Sequence, residues 1–271
     1  MPDMEEYLIY TKLSVDKLAD EFDNAERSNY IIHWMRSIVQ DIYIRYFHTG
    51  QELLELNSGT GIDAVYLAQK GVKVFATDIS PKMVDILRGK IKDAGLENFI
   101  TAEAYSFSEI DRIERKDFDG VISNFGGLNC ISDFNKLSSD LAFRLKGGGK
   151  FIAVVMNKFC PWEILYFLLK LDFKNAFRRF HKGGILADFN GEKVQTFYFY
   201  PKQFGRYFND NFIIEKIYTL ALYTPSPYLM GIYVRFKWFV KLMMRIDNVI
   251  KGVFPFNRFG DHFILVLRKR S

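Results

Sequence analysis

The residues whose types and spacing could do chemistry begin at Glu55-Leu-Asn-Ser-Gly-Thr-Gly61 and continue at Asp78. A sharp turn from a strand into a helix lets backbone N–H groups approach a ligand only where side chains are small. Asn57-Ser-Gly-Thr-Gly61 supplies such a turn directly after the apolar run Leu53-Leu-Glu-Leu56. Ligands of parallel sheets bind outside the carboxyl ends of the strands, and an acid closing the second strand reaches the ribose hydroxyls of a nucleoside. Asp78, in Ala76-Thr-Asp-Ile-Ser80, stands where that acid belongs. Each feature also has a plain structural reading: a Gly-rich turn can be only a turn, and Asp78 can cap the helix that opens at Pro81.

Positioning these residues takes short strands alternating with helices, and the sequence has that order. Residues 53–56, 72–76, 99–100, 120–122 and 151–155 read as strands. Helical periodicity fills residues 62–70 and 81–94, the latter with Ser80 as cap and Pro81 in the first turn. Such alternation predicts a doubly wound, Rossmann-like α/β sheet with right-handed crossovers. Upstream, Tyr30, Ile31, Trp34, Ile38 and Ile42 fall at helical spacing in a stretch, residues 12–48, expected to cover the ligand site. Gly147-Gly-Gly149 reads as a turn ending a helix that begins near Phe134. Beyond residue 157 the reading is a helical, aromatic segment over 161–180, a strand-like run over 194–200 and a short helix over 201–208. Strands follow over 212–222 and 262–268, with a helical stretch from Tyr228 to about Val253 between them.

The glycine-rich stretch resembles the first motif of class I S-adenosylmethionine-dependent methyltransferases, an acid followed by three glycines at alternate positions. Here it is Glu55-x-Asn57-x-Gly59-x-Gly61, with Asn57 in place of the first glycine, a mild departure because asparagine tolerates left-handed backbone. The resemblance implies a seven-stranded sheet whose last strand is antiparallel, and S-adenosyl-L-methionine as cofactor. It implies that Glu55 organises the loop and the methionine end, with Asn57, Ser58, Gly59, Thr60 and Gly61 passing close to the ligand. Asp78 and Ile79 would hold the ribose and flank the adenine, and Met83 would add an apolar contact. Glu103-Ala104 follows the third strand, where the family commonly meets the adenine amino group. Phe118-Asp-Gly-Val-Ile-Ser-Asn-Phe125 resembles the fourth-strand motif, with Asn124 and Phe125 beside the transferred methyl. A nicotinamide cofactor would need glycine at 57, 59 and 62, and only Gly59 is present.

The resulting expectation is one methyltransferase domain over residues 1–271. Residues 1–48 form a helical lid, 50–157 the cofactor core, and 158–200 with 224–260 aromatic cap insertions folded over the sheet's carboxyl edge. Methyl transfer from a sulfonium is an in-line displacement, so the protein mainly aligns the acceptor and excludes water. A hydroxyl or phenol acceptor would also want a base near Asn124. His181 is the candidate from the first insertion, against the reading of a surface histidine after a basic helix. His33 reads as a helix-face residue, and His262 as structural, bonded to Asp261. Tyr7 and Tyr10 could close over the methionine carboxylate.

The aromatic fraction, 17%, is concentrated in the second half and points to a small apolar or aromatic acceptor, with a quinone-like molecule drawn from a membrane surface as the bolder version. The segment from Tyr233 to Arg245 interleaves aromatic and basic residues, as a cap helix or a membrane-surface helix would. The net charge of +5 is read as scattered basic residues rather than a stripe, so no nucleic-acid partner is expected. Cys130, Cys160 and four scattered histidines give no metal-ligand spacing. The acidic start Met1-Pro-Asp-Met-Glu-Glu6 is unlike a signal peptide, and a cytoplasmic location is expected. Other readings are a cofactor-binding but catalytically idle partner subunit, or an RNA or protein methyltransferase. Oligomeric state is not legible.

Overall fold

The structure, a computed structural model, describes residues 4–189 and 191–270, without the side chains of residues 4–10, 189 and 192. The side chains of Tyr7 and Tyr10 therefore lie outside the described residues. In chain order the elements are α1 (Met4–Ser28), α2 (Tyr30–Tyr46), β1 (Glu52–Leu56), α3 (Ile62–Ala68), β2 (Lys73–Asp78), α4 (Pro81–Ala94) and β3 (Ile100–Ala104). Then come β4 (Phe118–Ser123), α5 (Asn135–Arg144), β5 (Leu145–Met156), α6 (Pro161–Leu169), α7 (Phe173–Ala176), β6 (Ile185–Phe189) and β7 (Glu192–Thr196). The chain ends with α8 (Pro201–Arg206), β8 (Phe212–Leu220), α9 (Met230–Arg235), α10 (Lys237–Ile250) and β9 (His262–Lys269).

A seven-stranded sheet runs in the order β3-β2-β1-β4-β5-β9-β8. The strands from β3 to β5 pair in parallel, and β9 is antiparallel to both of its neighbours. This is the Rossmann-like class I arrangement. Strand order reverses between β1 and β4, and a crevice opens there at the carboxyl ends, where doubly wound sheets bind ligands. The central strands are continuous apolar runs because both faces are covered. Ile31, Met35, Ile38 and Ile42 of α2 pack with α3 and α4 on one face, while Phe134, Leu141, Phe204 and Phe208 fill the other.

Local chemistry sets the elements that frame the crevice. The Ser80 hydroxyl accepts the Met83 N–H at 3.1 Å, Pro81 occupies the first turn of α4, and Gly95 ends it in left-handed backbone. Met83, Val84, Leu87 and Ile91 give α4 its buried side.

Several expectations change. The glycines at 147–149 lie inside β5 instead of forming a turn after a helix; α5 ends at Arg144, and the glycines coincide with a register shift against β4. The segment 161–180 is broken at Leu171, which adopts φ +57°, so α6 and α7 are separate. Strand β6 was not anticipated; it forms a hairpin with β7. The expected helix from Tyr228 is divided at Phe236, whose extended φ of −127° separates α9 from α10. Inward-facing Tyr233, Val240 and Met244 join the same core layer as α2.

Candidate cofactor site

Asn57 answers the question its glycine position raises. It adopts φ +47°, the left-handed region that asparagine tolerates. Its Nδ2 donates to the Asn124 carbonyl at 2.6 Å, and its Oδ1 accepts the Ser123 hydroxyl. The side chain thus bolts the loop after β1 to the end of β4. A Cβ at Gly127 would fall 2.3 Å from Asn57 Cγ, so the neighbouring loop is cut back to glycine to admit it. Gly61 is forced by both conformation and space: its φ is +78°, and a Cβ there would meet Leu87 Cδ1 at 2.1 Å.

Asp78 closes β2 and holds the loop from the other side. Its Oδ2 accepts the Gly59 N–H at 2.8 Å and its Oδ1 the Ser80 N–H at 2.9 Å. Burial raises its pKa to about 6, outweighing those two donors. Glu55 is also buried, and its Oε2 has no hydrogen-bond partner, as is true of Ser58 Oγ. Burial, reinforced by nearby Asp63, pushes the Glu55 carboxyl well above the usual range. A buried carboxyl with an open oxygen suits a cationic ligand group, and Asp78 retains lone pairs for a diol. These groups fit a nucleoside carrying a cationic amino-acid arm.

Helix α1 lies over this crevice for reasons visible in its sequence. Asp16, Asp20 and Asp23 recur at helical spacing on one side. Asp16 accepts the Ser80 hydroxyl, Asp20 meets Lys82 at 2.6 Å, and Asp23 meets Lys90 and the Thr60 hydroxyl, each at 2.5 Å. The adjacent apolar residues Val15, Leu18 and Phe22 line the cleft.

Of the residues singled out from sequence, Glu55, Asn57, Ser58, Gly59, Asp78, Met83, Asn124 and Phe125 share one cleft. Thr60 and Gly61 sit behind the loop, tied to Asp23 and packed on Leu87. Ile79 packs against the second core layer. Ala104 pairs with Asp78 across the strands, and Glu103 turns toward Arg88 at 3.3 Å. His181 does not line the cleft; its Nδ1 bonds the Gly184 carbonyl at 2.9 Å.

Sequence reasoning missed Arg36 and Asp63, which also line the cleft. Asp63, in the first turn of α3, accepts Arg36, Gln40 at 2.9 Å and Asn124 Nδ2 at 2.5 Å. Burial works against the Arg36 charge, but Asp63 and Glu26 outweigh it and keep the guanidinium protonated. Its Cζ stands 4.8 Å from the Phe125 ring centroid. The available signal was a charged residue among the buried positions of an amphipathic helix.

Past β4, the end of β5 pairs with the start of β9, and neither strand contributes to the lining of the cleft. The His262 ring meets Phe125 edge-on at 5.6 Å, and its Nδ1 bonds Asp261 Oδ2 at 2.8 Å. Among the described residues no hydrogen bond occupies Nε2. Asp261 is further held by Arg179 at 2.7 Å and by the Ser226 hydroxyl at 2.8 Å. Burial opposes its ionisation, yet Arg179 and His262 outweigh burial and hold the carboxyl well below the usual range. Glu163 takes Arg178 at 2.7 Å, Arg179 at 2.8 Å and the Tyr228 hydroxyl at 3.0 Å. Both aromatic insertions are thus anchored to β9 through two buried carboxylates. No three- or four-residue metal-ligand group occurs among the described residues.

Known proteins share the domain and the fold. A family model described as a methyltransferase domain matches residues 53–149. The chain is 26% identical to a demethylmenaquinone methyltransferase of Symbiobacterium thermophilum over 58% of its length and 63% of the relative's. It is 29% identical to the ubiquinone/menaquinone biosynthesis C-methyltransferase UbiE of a Geobacter species, over 57% of its length and 68% of that protein's. A putative S-adenosylmethionine-dependent methyltransferase from Listeria monocytogenes superposes with a TM-score of 0.60 at 17% identity, covering 88% of this chain and 97% of that one. Residues 53–149 are a methyltransferase domain on the Rossmann-like fold of class I S-adenosylmethionine-dependent enzymes, and S-adenosyl-L-methionine is the cofactor that this family and fold imply.

Proposed function

We propose that the chain methylates a small hydroxylated aromatic of hydroquinone type, with His262 as the base. The observation that carries this reading is His262 itself: oriented by Asp261, open at Nε2, and packed on a ring that lines the cofactor cleft. The sheet order supports it, because β9 lies two strands beyond β4, on the side away from the glycine loop. The relatives' names, which speak of demethylmenaquinone and of C-methylation, favour a quinol carbon as the acceptor atom. Those relatives are matched over about two thirds of their length or less, so the acceptor rests on the site's chemistry as well.

Within this proposal Asp78 holds the ribose, Glu55 the cationic arm, and Met83 and Phe22 the apolar walls. Bound there, S-adenosylmethionine supplies an activated methyl. His262 takes the hydroxyl proton of the acceptor at Nε2, which raises the electron density of the adjacent ring carbon; Asp261 stabilises the imidazolium that results. S-adenosylmethionine held by these residues would give its methyl to that ring carbon and leave as S-adenosylhomocysteine; the proton displaced from the ring carbon would pass to water, and the His262 imidazolium would return its proton to the acceptor oxygen.

His262→Asn keeps a polar group of similar size without a base. The expected result is a fall in kcat of about 10²- to 10⁴-fold with S-adenosylhomocysteine affinity unchanged. An unchanged kcat would remove His262 from the reaction.

A further inference from the structure

We propose that the outward face of α10, with the residues flanking it, docks on the surface of an anionic lipid bilayer. The helix has two unlike sides. Val240, Met244 and Asp247 face inward and are buried. Trp238, Leu242 and Val249 lie within about 40° of one another on the opposite side. Trp238 is 78% exposed and Val249 79%. The apolar surface continues past the helix end at Phe254, which is 72% exposed. A soluble helix normally turns its charged side to water; this one shows tryptophan and aliphatic side chains.

The charges name the occupant. Between Tyr228 and Phe259 the chain has six basic residues, Arg235, Lys237, Lys241, Arg245, Lys251 and Arg258, and one acid, Asp247. The net excess of this segment therefore equals the +5 of the whole chain. Asp247 does not neutralise the face, because it is buried and accepts the Tyr223 and Thr224 N–H groups at 2.9 and 2.8 Å. No acid pairs with Arg235, Lys237, Lys241 or Arg245 among the described residues. An apolar stripe bordered by unneutralised basic side chains matches the boundary between lipid tails and anionic headgroups. A second copy of the same face would oppose like charges. No helix among the described residues is long and apolar enough to cross a membrane, so the contact is with the surface.

This inference goes beyond the proposed reaction and is tested without it. Co-sedimentation is measured with phosphatidylcholine vesicles, with and without phosphatidylglycerol. A basic side chain close to an anionic surface contributes about fivefold to partitioning. The wild type should favour the anionic vesicles by at least tenfold, and the Lys237→Gln, Lys241→Gln, Arg245→Gln triple variant should lose roughly a hundredfold. Trp238→Ser combined with Val249→Ser should lose at least tenfold while unfolding temperature and S-adenosylhomocysteine affinity stay at wild-type values, since both side chains are exposed. Equal partitioning onto both vesicle types would overturn the proposal, as would serine variants that pellet like wild type. So would a lipid-free dimer that the serine substitutions dissolve, which assigns the face to a second copy. Failure here leaves the proposed reaction standing, and an inactive protein that still pellets with anionic vesicles leaves the docking face standing.

Discussion

Asp78 makes nucleoside binding depend on pH in a direction and over a range that the structure specifies. Burial raises its pKa to about 6. The ionised carboxylate is the form that accepts hydrogen bonds from a ribose diol, so bound nucleoside favours loss of the proton. At about pH 5 only about a tenth of the ligand-free protein carries that carboxylate, and apparent affinity should be about tenfold below its plateau. Affinity then rises with pH and levels off above about 7. Stability of the ligand-free protein has the opposite sign. A carboxyl whose folded pKa is raised stabilises the fold below its unfolded pKa and loses that contribution as pH climbs through the folded value. The two trends therefore run in opposite directions between about pH 4 and 6. The assay is calorimetric titration with 5′-methylthioadenosine, which has the nucleoside but lacks the amino-acid arm that would involve Glu55. Wild type should show the tenfold change, and Asp78→Asn, which cannot ionise, should bind weakly and without pH dependence. Affinity that is flat or falls with rising pH in the wild type, or the same profile in the variant, would refute the reasoning.

Three further comparisons test the frame of the site. Asn57→Gly restores the family's residue yet removes the bonds to Ser123 and the Asn124 carbonyl; it should cost about 1–3 kcal/mol in denaturant unfolding rather than stabilise. Arg36→Met leaves Asp63 buried without its cation and should cost about 3–5 kcal/mol, while adding Asp63→Leu should recover much of that loss. Gly61→Ala meets Leu87 at positive φ and should cost about 1–3 kcal/mol, whereas Gly50→Ala, also at positive φ but in open space, should cost about 1 kcal/mol or less by the same measurement.

How much of this was legible follows from the range of the interactions involved. The cap at Ser80, the proline start of α4 and the turn at Gly59 to Gly61 depend on neighbours in sequence, and their residue types announce them. Asp78 was legible because sheet topology fixes what a strand-end acid can reach. Asn57 was read as a tolerated departure; its hydrogen bonds cross to β4 and make it a brace. Arg36 and Asp63 meet across 27 positions; the charge of Arg36 among the buried positions of α2 marks it as unusual, but nothing local names its partner. The break at Phe236 and the hairpin of β6 with β7 depend on tertiary packing, which overrides apolar periodicity over short runs. The excess of basic over acidic side chains on the outside of α10 appears only once the helix turns its one acid, Asp247, inward.

The claim that binds the rest together is that this crevice delivers a methyl group to a hydroquinone-type acceptor. The most direct measurement is mass analysis of a reduced naphthoquinol, with an open ring position beside its hydroxyl, after incubation with methyl-deuterated S-adenosylmethionine. The account predicts one labelled methyl on the ring carbon and one S-adenosylhomocysteine released for each product formed. Tight S-adenosylmethionine binding with no labelled product from any reduced hydroxylated aromatic would contradict it, and would point to a cofactor-binding subunit without catalysis of its own.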